Sequence, residues 1–150
     1  MISVNKTNDL ELSILSCLVL EPELMDKLIL EDKHFTKHQR LWQFMKSFYS
    51  KFKTFDVQLM ASICKDKYHI VSYIVMLADI EATTINFDKY QKQLIELYDE
   101  SKKEKWLIEK VYGLANDLYV RKIKLGDFKN ELQKIENDAK KIFGGEKNVL

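Results

Sequence analysis

Glycine and proline are nearly missing: 150 residues contain four glycines and one proline. All-β folds turn often and use both residues at their turns, so this scarcity argues against a sandwich or barrel. It also removes the phosphate loops. Gly113, Gly126, Gly144 and Gly145 cannot form G-x-x-x-x-G-K-[ST] or G-x-G-x-x-G, whose glycines let backbone N–H groups close on phosphate. Cysteine is as sparse. Cys17 and Cys64 stand far apart in apolar stretches, which makes neither a disulfide framework nor a zinc site and suits small buried hydrophobes. No apolar run approaches the roughly 20 residues of a membrane span. The polar residues 1–9 lack the apolar core of a signal peptide. The expectation is a cytoplasmic protein with no membrane association.

An excess of one charge is also lacking, with 24 Lys and Arg against 23 Asp and Glu. A nucleic-acid binder needs a basic stripe. Here the lysines interleave with acids, as in Asp99-Glu100-Ser101-Lys102-Lys103-Glu104-Lys105, the pattern of a solvated helix face. Strong direct nucleic-acid binding is not expected. Chemistry is as hard to find. His34 and His38 lie four apart, a spacing that can share a metal on one helix face. No glutamate stands at the metalloprotease position and no third ligand is evident, so ordinary hydrogen bonding at a helix start is the better reading. His69 is isolated. Nothing combines nucleophile, base and oxyanion donor. The expectation is no enzyme, no catalytic residue, no cofactor and no metal.

What the chain does contain is helical periodicity, and the expected class is all-α. Residues 10–20 are apolar nearly all round, which suits a central core helix. Pro22 fits the first turn of a second helix, 22–30, because its missing N–H costs nothing there. Thr36 is the expected cap of a third helix ending near 51, with Leu41, Phe44, Met45, Phe48 and Phe52 on one stripe. Asp56 caps a fourth, with Val57, Met60, Ala61 and Cys64 inward. The β-branched segment 70–77 has no partner strand and is assigned to a buried fifth helix, 68–80.

After a loop, Asn86 caps a long helix over 87–122, which carries Leu107, Val111, Leu114 and Leu118 at spacings of four, three and four. A turn at 123–126 leads to a last helix capped by Asp127, with Phe128, Leu132, Ile135, Ala139 and Ile142. Two such seams and a short turn make an antiparallel hairpin with coiled-coil-like packing. The expected organisation is a disordered start at 1–8, a compact head at 9–85, the extended hairpin at 86–143 and a flexible tail at 144–150. On the hairpin's outer face stand Trp106, Ile108, Tyr112 and Tyr119, a candidate protein interface. They either meet the head or another chain, or are buried within the hairpin; the sequence leaves both open.

Several short segments, in order, resemble the N-terminal domain of DnaB-type replicative helicases of bacteria and phages. The run Asp9-Leu10-Glu11-Leu12-Ser13-Ile14-Leu15-Ser16-Cys17-Leu18-Val19-Leu20-Glu21-Pro22-Glu23 looks like that family's first helix and acidic-Pro-Glu turn. Lys33-His34-Phe35 followed by His38-Gln39-Arg40-Leu41-Trp42 is similar to the entry into its third helix, and Phe55-Asp56-Val57 to the start of its fourth. Leu77-Ala78-Asp79-Ile80, then Thr83-Thr84-Ile85-Asn86-Phe87-Asp88-Lys89-Tyr90, looks like the passage into its hairpin. Ser16 stands where the family usually has glycine, and Gln91 where it has a small residue.

The resemblance implies a non-catalytic protein-interaction module of DNA replication, without the ATPase motor. It implies self-association through the hairpins into a collar that receives primase and, in some bacteria, the helicase loader. The partners it implies are helicase loader, primase or the replicative helicase itself. Two origins stay open. One is a stand-alone phage-encoded copy that modulates or inhibits host helicase loading. The other is an excised N-terminal domain of a full-length helicase that mediates dimerisation and primase docking.

Overall fold

The computed structural model describes residues 4–144, with Val4, Asn5 and Tyr68 as backbone only. The described residues are helical with no strand: α1 (Val4–Leu20), α2 (Gln39–Phe52), α3 (Val57–Ile63), α4 (Tyr68–Leu77), α5 (Phe87–Tyr119) and α6 (Leu125–Ile142), with short 3-10 turns between them. The chain divides into two compact units, Met1–Tyr98 and Asp99–Leu150. The division falls inside α5 rather than at 85/86, because Phe87, Gln91 and Leu94 are buried with the head. The tail expected at 144–150 lies, beyond Gly144, outside the described residues.

In the head, α1 is the central rod. Ile14, Leu15, Cys17 and Leu18 have no exposed surface, and they share one core with Met45, Met60, Ile74, Leu77 and Leu94. Their near-consecutive positions point most of the way round the helix, which is why α1 must be surrounded. Residues 4–8, expected to be disordered, instead begin α1. Asn8 Oδ1 lies 2.7 Å from His38 Nε2, which ties this first turn to the start of α2.

Two helix starts differ from expectation for one reason: a distant side chain takes over the backbone hydrogen bonding. Pro22 opens only a 3-10 turn, Pro22–Lys27, and Leu28 is extended. Gln91 Oε1 accepts the N–H of Ile29 at 2.8 Å, so that N–H is satisfied without a helix. Thr36 does not cap α2, which begins at Gln39. Its hydroxyl donates to Glu11 at 3.4 Å, while the Lys37 and His38 N–H groups donate to the same carboxylate at 3.1 and 2.9 Å. Glu11 is fully buried on α1, so α1 pins the chain where α2 enters.

On α2 the buried residues are Trp42, Met45, Phe48 and Tyr49, while Phe52 is exposed. The stripe is rotated toward Trp42, which stacks on Phe35 at 4.4 Å and 12°. Lys53 then ends the helix in the left-handed region, φ 56. Asp56 caps α3 as the sequence indicates, accepting the Leu59 N–H at 3.0 Å. Met60 is buried and Cys64 half-buried, but Val57 and Ala61 are exposed. Helix α4 forms despite its β-branched content, because Val71, Ile74 and Leu77 recur at three-residue spacing and pack inward. It stops at Leu77 rather than Ile80. Ser16 Oγ accepts the Glu81 N–H at 3.1 Å, and the Glu81 carboxylate accepts the Tyr90 hydroxyl at 2.7 Å. Ser16 and Gln91, two departures from the resembling family, thus each satisfy a loop N–H.

The second unit is a helical hairpin. Its reversal spans 120–124, earlier than the expected 123–126. Arg121 takes the left-handed conformation, φ 62. The Lys122 N–H returns to the Asp117 carbonyl at 2.9 Å and the Arg121 N–H to that of Leu118 at 3.1 Å, a Schellman-type closure that needs no glycine. Lys124 occupies the N-cap position of α6. Asp127 is therefore not the cap but sits in the first turn, where its charge favours the helix dipole.

Candidate protein-docking surfaces

The two histidines singled out by their spacing are engaged separately. His34 is buried, its Nδ1 accepts the Glu31 N–H at 2.9 Å, and its ring meets Tyr98 edge-on at 5.0 Å. His38 pairs with Asn8. Among the described residues no group of three His, Cys, Asp or Glu side chains could hold a metal ion. Cys17 is buried beside Glu81 and Glu21. Burial, then those two charges, push its thiol up to about 11. No described helix is long and apolar enough to cross a membrane.

The hairpin carries the first candidate surface. Of the residues assigned to its internal seam, Leu114 is buried, and Leu118, Phe128 and Ile135 are half-buried. Leu107, Val111, Leu132 and Ile142 are 38–56 % exposed. Two helices alone share one line of contact, so residues flanking that line stay open. Trp106, placed on the outer face by the sequence, turns to the inner one: its ring meets Phe143 edge-on at 5.6 Å. Lys103 lies over the same Phe143 ring at 5.6 Å. Ile108, Tyr112 and Tyr119 do face outward, with exposures of 65, 75 and 85 %. Spaced four and seven apart, they form one apolar stripe on α5. Leu125, assigned to a turn, opens α6 and is also exposed; its exposure follows from the earlier reversal, which no local signal marked.

Two clefts of the head are lined by described residues. One, between residues 25–33 and α2, is self-satisfied. Asp32 accepts from Trp42 Nε1 at 2.8 Å and Lys46 Nζ at 3.0 Å, and these bonds hold its carboxyl below the ordinary value. The Tyr49 hydroxyl donates to Asp26 at 3.1 Å, and Lys53 lies 4.9 Å over the Tyr49 ring. The other cleft lies between residues 36–41 and α4, and its charged side chains are basic. Periodicity could not show it, since it joins segments about thirty residues apart.

Residues 3–96, more than half of the chain, match the family model described as DnaB-like helicase N terminal domain. That match covers the head and ends near the division inside α5. No curated protein and no solved structure matches the chain.

Proposed function

Because the chain belongs to the DnaB-like helicase N-terminal domain family, we propose that it acts as a non-catalytic docking module of DNA replication whose partner is the helicase loader, primase or the replicative helicase itself. The observation that carries this is the outward stripe of Ile108, Tyr112 and Tyr119. Large aromatic and aliphatic side chains left open along one helix face suit a protein interface. The same stripe supports self-association through the hairpin. Fully burying a leucine-sized side chain contributes roughly 1.5–3 kcal/mol, so a few per chain offset the entropic cost of a modest dimer.

The residues of this chain hold no phosphate-binding loop, so they contribute binding rather than hydrolysis. As a stand-alone phage-encoded copy, the module modulates or inhibits host helicase loading by occupying a shared surface. As the N-terminal part of a full helicase, it mediates dimerisation and primase docking. Either role places it in the cytoplasm. The test mixes purified chain with loader, primase and helicase of the same host and follows complex formation by light scattering. A complex with one of them, weakened by Tyr112→Ser, is the expected result. Binding to none, with helicase loading unchanged at large excess, would overturn the reading.

A further inference from the structure

The basic cleft of the head combines two features. Its volume is about 540 Å³, and its rim carries Lys37, His38, Arg40 and His69 with no carboxylate among the lining side chains. In a chain of net charge +1, most cations can lie near an acid. Lys37 and Arg40 are exposed, and among the described residues neither has an ion-pair partner. The backbone N–H groups of Lys37 and His38 point the other way, into Glu11. The rim therefore offers cationic side chains, not a helix end. The second feature is apolar. Leu41, Ile70 and Tyr73 also line the cleft. One turn beyond Tyr73 on α4 stands Met76, 65 % exposed, so the apolar strip continues past the cleft along the helix.

We infer that this cleft is the docking site for an acidic amphipathic helix of a partner protein. Carboxylates on that helix pair with Lys37 and Arg40, while its apolar face lies on Tyr73 and Met76. A helix laid in a groove needs such an apolar strip with charges beside it. A nucleic-acid backbone does not fit as well. It calls for cations tracking several phosphates, and it has nothing to place on Met76. The inference rests on the docking-module reading and adds a second contact to it: beside the hairpin stripe, the head takes an acidic helix of the partner in this cleft.

The experiment uses the full ¹⁵N-labelled chain and three probes: a helical peptide of about four turns with a leucine face flanked by glutamates, its twin with lysine in place of each glutamate, and a single-stranded oligothymidylate. The acidic peptide is expected to shift the amides of Lys37, Arg40, His69 and Tyr73, and the lysine twin to shift none of them. The double variant Lys37→Glu/Arg40→Glu should lose at least about tenfold in affinity for the acidic peptide, since reversing two rim charges opposes its carboxylates. Met76→Glu should weaken it too, and all three substitutions are at exposed positions that leave the core intact. Equal binding of both peptides, no shift at the cleft, undiminished affinity of the double variant, or binding of the oligonucleotide through these residues in preference to the peptide would each overturn the inference. The same variants are then mixed with purified loader, primase and helicase. A partner captured equally by parent and double variant removes the cleft assignment but keeps the docking reading. Capture of none by the parent removes the docking reading itself.

Discussion

Removing the carboxylate of Glu11 tests how the head positions its second helix. Glu11 is fully buried on α1 and accepts the N–H groups of Lys37 and His38 and the hydroxyl of Thr36. In Glu11→Ala both N–H groups lose their acceptor. A buried donor left unpaired costs about 1–3 kcal/mol. Lys37 is exposed and His38 half-buried, so water reaches part of this segment and the lower end applies to each. The release from burying a charge offsets some of the loss. The net expectation is a loss of about 1–2 kcal/mol. In a chain of this size that lowers the melting temperature by roughly 2–8 °C. Glu11→Gln keeps one acceptor oxygen but turns an amide N–H₂ toward the remaining donor, and should fall between the alanine variant and the parent. Thermal unfolding by circular dichroism measures the global effect. Hydrogen exchange at Lys37, His38 and the first turn of α2 measures the local one. An alanine variant that melts within about 1 °C of the parent, with unchanged exchange at those amides, would refute the reasoning.

Arg121 pays the steric cost of the left-handed region at the hairpin reversal, so Arg121→Gly should stabilise by about 1 kcal/mol in urea unfolding. Gly126 lies in the first turn of α6 and an added Cβ meets nothing within 4 Å. Gly126→Ala should therefore gain about 0.5–1 kcal/mol, and a loss there would return the reversal to 123–126. Asp32 is held below the ordinary carboxylate pKa of about 4, first by the Trp42 hydrogen bond and then by Lys46. A depressed carboxylate contributes stability above its unfolded value that is lost as pH falls through the folded one. Asp32→Asn should thus flatten the acid side of the melting curve, and only modestly, because the side chain is 46 % exposed; parallel profiles would count against it. At pH 8 a thiol reagent should label half-buried Cys64 first and Cys17 only on unfolding, since Cys17 is buried and stays protonated. Fast labelling of both would refute this.

Helical content was legible because it is written in local spacing. The stripe at 41–52 and the two long arms carry a repeat that only a helix can place on one side. The run at 10–20 is apolar nearly all round, as a central helix requires, and the β-branched segment at 70–77 has no strand to pair with. The class, the central place of α1, the Asp56 cap and the hairpin all come from windows of a few turns. The family resemblance was legible for the same reason, being a series of short apolar patterns in order. Which hairpin side chains stay exposed was partly so. Outward Ile108, Tyr112 and Tyr119 follow from periodicity, whereas Trp106 could not be placed without Phe143.

The sequence by itself determined which segments become helices, because that depends on residues three and four apart. Tertiary structure alone decided where several of them begin and end, because an end is decided by who accepts or donates the leftover backbone bonds. Glu11 does so for 36–38 from 25–27 residues away, Gln91 for Ile29 from 62, and Ser16 for Glu81 from 65. The basic cleft belongs to the same class of feature. Lys37 and Arg40 meet His69 and Tyr73 only when α2 and α4 are both packed on α1, and no pattern within either helix records that they do.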